Sequence, residues 1–122
     1  MDKAQAIHSF WSGFGLPAYD ENSVPKTAQM PYITYNVATG SIGAPVMLHS
    51  SLWYYSTSWA AISQKADQIA AAIGYGHELV KLDDGYLYIT KGTPFAQRMS
   101  DPADSNIRRI YINIAVEFLT AY

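Results

Sequence analysis

The sequence predicts an α+β fold, with a mainly antiparallel sheet of about four to five strands and two helices packed on one face. Three patterns predict it. First, Pro45–Ile73 runs from a strand pattern straight into a helix pattern, in which Trp59, Ile62, Ala66, Ile69 and Ile73 recur at intervals of 3, 4, 3 and 4 and so share one helical face. Second, the C-terminal segment alternates strictly, with Ile110, Ile112, Ile114, Val116 and Phe118 on one side and Arg109, Tyr111, Asn113, Ala115 and Glu117 on the other. Third, Asp83-Asp84-Gly85 lies between the apolar runs Glu78–Leu82 and Tyr86–Thr90, a strong hairpin signal.

The remaining elements follow in chain order. Lys3–Ser12 reads as a short amphipathic helix, with Ala4, Ile7, Phe10 and Trp11 on one face. Asp2 is placed to cap it, with Gln5 as the capping-box partner, and Gly13, Gly15 and Pro17 end it. Residues 15–30, with two prolines and a polar cluster, read as a long loop that wraps the body or reaches a neighbour. Pro31 then opens a strand in which Ile33, Tyr35 and Val37 alternate with Tyr32, Thr34 and Asn36. The two glycines of Thr39–Ala44 mark a hairpin tip that displays Ile42. In the returning strand, Val46, Leu48, Leu52 and Tyr54 look like the core face, and Met47, His49, Ser51, Trp53 and Tyr55 the other. Ser56 or Ser58 is expected to cap the following helix, which spans Ser58–Ile73 and ends at Gly74. Residues 91–105 read as a second long loop, docked through Phe95 and Met99. Residues 1–122 are expected to form one domain, without an internal repeat.

Composition narrows the function classes. There is no cysteine, which removes disulfides and cysteine metal sites. The formal net charge is -2 with the signs scattered, so no basic block calls for nucleic acid. No segment reaches the length of a membrane span and no signal-type run opens the chain, so a soluble protein made in the cytosol is expected. Charged residues make up only 15%, against roughly 25% in typical domains, and there are ten tyrosines. Few charges with many aromatics fit either an aromatic core or a surface built to meet other proteins.

Motifs for chemistry are missing. His8, His49 and His77 make no metal spacing with one another or with an acid on a shared face. Gly74-Tyr75-Gly76 follows a helix where a dinucleotide fingerprint precedes one. There is no phosphate loop and no nucleophile elbow. The acidic pair Asp83-Asp84 reads as turn chemistry, and no cofactor, metal or small-molecule substrate is implied. Two alternatives to a purely structural protein remain. A small enzyme would need groups converging from separate elements. A single-stranded nucleic-acid binder would stack bases on Trp53-Tyr54-Tyr55 or Tyr86-Leu87-Tyr88 and meet phosphate through Arg98, Arg108 and Arg109. Acidity and dispersed basic residues oppose the second, and Arg108-Arg109 then reads as a solvated strand entrance with one arginine on each face.

In its element order the chain resembles the tail terminator (tail completion, or tail-to-head joining) proteins of long-tailed bacteriophages. The segments that carry the resemblance are MPYITYNV, LHSSLWYYS running into STSWAAISQKADQIAAAI, and the closing IRRIYINIAVEFLTAY. It is a resemblance of architecture over most of the chain, without a diagnostic motif. It implies a non-enzymatic virion protein, made in the host cytoplasm. Such a protein forms a ring, usually a hexamer, on the head-proximal end of the tail tube. Its partners would be its own copies, the tail tube protein and a head-completion or connector protein. Another head–tail connector or minor structural protein is a neighbouring possibility. A closed ring needs two different contact patches on each subunit. Trp53, Tyr55, Tyr111, Asn113 and Glu117 on the non-core strand faces are candidates for contacts between subunits. The hairpin tip (Thr39, Gly40, Ser41, Ile42 and Gly43), with Phe95 and Arg98 in the second loop, is a candidate for contacts along the tube.

Overall fold

The computed structural model describes all residues from Met1 to Tyr122. The elements are α1 (Lys3–Ser12), β1 (Ala18–Asp20), β2 (Tyr32–Tyr35), β3 (Val46–Tyr55), α2 (Ala60–Ile73), β4 (Glu78–Leu82), β5 (Gly85–Met99) and β6 (Ile107–Thr120). The fold is α+β. The strands form one six-stranded sheet in the order β1-β2-β3-β6-β5-β4. Every pairing is antiparallel except β1 with β2, so the sheet is mixed and has more strands than the four to five expected.

The central strand is β6. It pairs with β3 along Ile107–Val116 and with β5 from Arg109 to Thr120. Its alternation is realised: Ile110, Ile112, Ile114, Val116 and Phe118 are all buried, and the residues between them are half-buried on the opposite face. The apolar side of β6 joins Leu48 and Leu52 of β3, Leu87 and Ile89 of β5, and the buried stripes of both helices in one core of 22 residues. At roughly 1.5–3 kcal/mol for each large apolar side chain removed from water, this cluster is the main source of stability.

The helices divide the work of covering the core. In α2, Ile62, Ala66, Ile69 and Ile73 are buried, and the helix lies across β3, β6 and β5. In α1, Ala6, Ile7, Phe10 and Trp11 are buried, and this helix touches β1 and β4, the two outermost strands. A short helix can touch both edges of a six-stranded sheet only if the sheet curls towards it. The helix-bearing face is therefore concave and the other face convex. The capping box at Asp2 and Gln5 forms as expected.

Three expectations are corrected. Residues 15–30 are not all loop, because Ala18–Asp20 forms β1 beside β2. Hydrogen bonds from Ile33 N–H to Pro17 O and from Glu21 N–H to Tyr35 O, both 2.8 Å, extend that pairing. Residues 91–105 are mostly strand, because β5 continues to Met99 and the connection to β6 begins only at Ser100. The register shifts between Lys91 and Ala96, and this bulge carries Gly92 and Pro94 outside the regular ladder. The bulge is held from β6, where the Asn113 side-chain amide donates to Pro94 O at 2.9 Å. Finally, α2 begins at Ala60, not Ser58, with Trp59 in the capping position and no side-chain hydrogen bond of its own. The Ser58 hydroxyl still accepts from Ala60 N–H at 3.0 Å, and the Ser56 hydroxyl from Ser58 N–H at 3.0 Å.

The β4–β5 hairpin turns through Asp83 and Asp84, with Leu82 opposite Gly85. Gly85 also pairs with Thr120, and a Cβ there would stand 2.0 Å from Leu119 O. Gly43 is the contrast: its φ is +80°, but a Cβ would meet nothing within 4 Å. Gly85→Ala is therefore expected to prise β5 from β6 and cost at least about 1–3 kcal/mol. Gly43→Ala should cost only its backbone conformation, about 1 kcal/mol. Denaturant midpoints of the two variants check this order.

Candidate functional site

The convex sheet face has no helix over it, and its side chains follow from strand register. On β3 it presents Met47, His49, Ser51, Trp53 and Tyr55, which stand opposite Ala115, Asn113, Tyr111, Arg109 and Ile107 of β6. Tyr32 of β2 lies beside Trp53, and Tyr19 of β1 lies one strand further out. Tyr86 and Tyr88 of β5 continue the face next to Leu119 and Glu117. Met47 is 56% exposed and Tyr55 60%, and Leu79 and Tyr86 are also exposed.

Most of these aromatic rings are held by neighbours. The ring centroids of Tyr19 and Tyr32 are 5.7 Å apart, and those of Tyr32 and Trp53 are 6.4 Å apart. Trp53 Nε1–H donates to Thr34 Oγ1 at 2.9 Å. The Arg109 guanidinium lies over Trp53 at 4.6 Å and also reaches Tyr111 at 5.9 Å. Arg109 Nε–H donates to Ser51 Oγ at 3.0 Å. His49 stacks on Tyr111 with centroids 5.2 Å apart, and its Nε2 is 3.0 Å from the Glu21 carboxylate. The result is a continuous band from β1 to β6 in which Tyr19, Tyr32 and Trp53 run on to Arg109, and Arg109 leads to Tyr111 and His49.

The five strand residues expected to meet other subunits all lie on this face. Trp53, Tyr111 and Asn113 belong to the band or border it. Tyr55 stands exposed at the end of β3. Glu117 turns to the hairpin tip, where it accepts from Gly43 N–H at 3.2 Å. Trp53 does not stand without a partner in its own chain, because Thr34, Tyr32 and Arg109 all engage it. The tip residues Thr39, Ser41, Ile42 and Gly43 are exposed, Ile42 at 61%, whereas Gly40 is half-buried against Val46. Phe95 and Arg98 lie on β5, not on a loop, and on the concave side. Phe95 packs on the core, and Arg98 lies over Trp59 at 4.8 Å. Arg108 covers Trp59 as well, at 5.3 Å, so the two consecutive arginines 108 and 109 do serve opposite faces.

Tyr19, Tyr32 and His49 are members of the band that the sequence did not single out, and Arg109 was considered only as a phosphate contact or a solvated strand entrance. The dipeptide Arg108-Arg109 was the available signal, but only strand register places Arg109 beside Trp53. No three His, Asp or Glu side chains converge on a common point.

Tyr35 and Tyr54 sit on the concave side with raised pKa values. Burial is the main cause for Tyr35, with the nearby Asp20 charge adding to it, and burial is the cause for Tyr54. The Tyr35 hydroxyl lies 2.8 Å from His8 Nδ1 and, keeping its proton, can donate to a neutral imidazole. Because Tyr35 holds its proton more tightly folded than unfolded, its contribution to stability is complete below the ordinary tyrosine value of 10.0 and is lost as pH rises through the folded value. Tyr35→Phe should therefore cost about 0.5–1.5 kcal/mol near neutrality, and its stability should converge on that of the unmodified chain above about pH 10. Urea titrations across that range measure the convergence. Compared with protein-family models, curated proteins and solved structures, the chain matches none of them.

Proposed function

We propose that this chain is a non-enzymatic assembly protein of a phage virion, a tail terminator-like subunit that forms a ring on the tail tube and joins it to the head. The observation that carries the reading is the convex face. An aromatic band crosses β1, β2, β3 and β6, exposed apolar side chains border it, and neither helix covers it. Aromatic residues and arginine are the types enriched at protein interfaces. The edge strands β1 and β4 each leave one side of their backbone unpaired, a second kind of surface open to contact. Together these supply the two unlike patches that a head-to-tail ring requires. The order of helix, strand, hairpin tip, aromatic strand, helix and long closing strand supports the tail-end part of the reading. On that reading the ring is a hexamer, its other partners are the tail tube protein and a head-completion protein, and no cofactor takes part.

A single-stranded nucleic-acid binder is the competing reading for an aromatic sheet face. Stacking needs open ring faces. Arg109 already covers Trp53, and His49 covers Tyr111, which favours a protein partner. A titration of tryptophan fluorescence with oligonucleotide at low salt separates the two readings, and a flat trace is expected.

The assembly reading is tested by mass measurement of the free protein, alone and with tail tube protein. Higher-order rings on the tubes are the expected result, and a strict monomer that never joins a tube overturns it. Tyr55→Asp, at an exposed position, should leave the circular dichroism spectrum intact and weaken assembly by about ten-fold or more. Trp53→Asp should weaken assembly further while also losing the Thr34 hydrogen bond.

A further inference from the structure

We propose that Arg109 is the docking point for a carboxylate on a second copy of this chain, and that Asp84 supplies it. The inference rests on the assembly reading for the statement that copies meet. It adds which groups meet and in what orientation.

The Arg109 guanidinium lies over Trp53, 4.6 Å from the ring centroid, and its Nε–H donates to the hydroxyl of Ser51, which is buried. Its two Nη nitrogens have no acceptor in the chain. The neighbouring arginine is a built-in contrast. Arg108 donates from Nη1 to Ser105 O and from Nη2, at 3.1 Å, to Thr57 O, so its fork is committed within the molecule. Arg109 is a planar fork held in place at Nε, with the four N–H groups of its two Nη nitrogens to spare. Such a fork matches a carboxylate through paired hydrogen bonds. Little side-chain freedom remains to be lost on binding.

The chain forms only two ion pairs, Met1 N-terminus with Asp83 and His49 with Glu21. No arginine and no lysine is paired with a carboxylate. Asp67, Glu78 and Asp84 are the carboxylates that accept no hydrogen bond within the chain. Asp67 lies on α2 and Glu78 opens β4 on the concave side, opposite Ile89. Asp84 is exposed at the tip of the β4–β5 turn, beside an Asp83 already held by the N-terminal ammonium.

Arg109 pairs with Trp53 and Met99 near the start of β6, whereas the turn adjoins its end, where Gly85 faces Thr120. Eleven residues of strand separate Arg109 from Thr120, about 36 Å. One molecule cannot join the two groups, but two molecules placed head to tail can. Unlike partners on one chain allow a two-fold pair that makes the contact twice as well as a heterologous contact made once per neighbour, and the assembly reading takes the second, the type from which a ring is built.

Self-association of the unmodified chain, R109E, D84R and the double variant R109E/D84R, followed by sedimentation or mass photometry over a range of salt, tests the pairing. Circular dichroism confirms that each variant is folded, and D84R, in an exposed turn, serves as the variant that leaves the Trp53 packing untouched. Each single change is expected to weaken association about ten-fold or more, and the double change to recover most of it. Added salt should weaken the unmodified chain more than the single variants. Single variants that associate like the unmodified chain would overturn the Arg109 pairing while leaving assembly itself intact. A double variant as weak as the singles would overturn the assignment of Asp84. An unmodified chain that stays monomeric, even on tubes, removes the assembly reading and this pairing with it.

Discussion

The period of two along β6 is the constraint on which the rest of this molecule depends. Twelve consecutive residues, Arg109–Thr120, alternate between half-buried and buried, and both neighbouring strands take their register from this strand. A slip of one residue would move Ile110, Ile112, Ile114, Val116 and Phe118 from the core to the outside, so the register is strongly specified. Because β3 and β5 are locked to β6, the same alternation decides what the convex face shows. Trp53 meets Arg109 and His49 meets Asn113 because Leu52 must meet Ile110 and Leu48 must meet Ile114. The packing of the core and the composition of the outer surface are one choice.

How much of this was legible beforehand varies with the range of the interaction that makes each element. Local patterns read well: the capping box of α1, the apolar stripe of α2, the Asp83-Asp84 turn and the alternation of β6 depend on residues within a few positions of one another. Elements made by distant pairing did not. Nothing in Ala18–Asp20 marks a strand, because its three residues sit in a polar, proline-bearing stretch and become β1 only through pairing with β2. Gly92 and Pro94 made the second half of β5 look like a loop. A bulge absorbs both, and Gly92 is required there because a Cβ would come within 2.8 Å of Asn113 Cβ. Local rules for glycine and proline fail where tertiary pairing gives them a place outside the ladder.

The candidate surface divides in the same way. Its aromatic character was visible in the alternation of β3 and β6, which picked out Trp53, Tyr55 and Tyr111. The role of Arg109 was not, because Ser51 and Trp53 lie more than fifty positions away in sequence. Phe95 and Arg98 were grouped with loop contacts for the same reason that β5 was cut short. Once the strand is extended, both point to the concave side, where Phe95 supports the core and Arg98 covers Trp59.

The curl of the sheet has a consequence for the shape of any complex. Two convex surfaces touch along a narrow strip, and a strip buries too little area to hold standard protein partners together. The aromatic face therefore cannot mate broadly with the same face of another copy. It needs a hollow, or a flank with the opposite curvature, so two-fold face-to-face dimers are disfavoured on geometry alone. Curvature thus selects against a closed pair built on this face alone, and the aromatic band fits best against a neighbour's surface of a different shape.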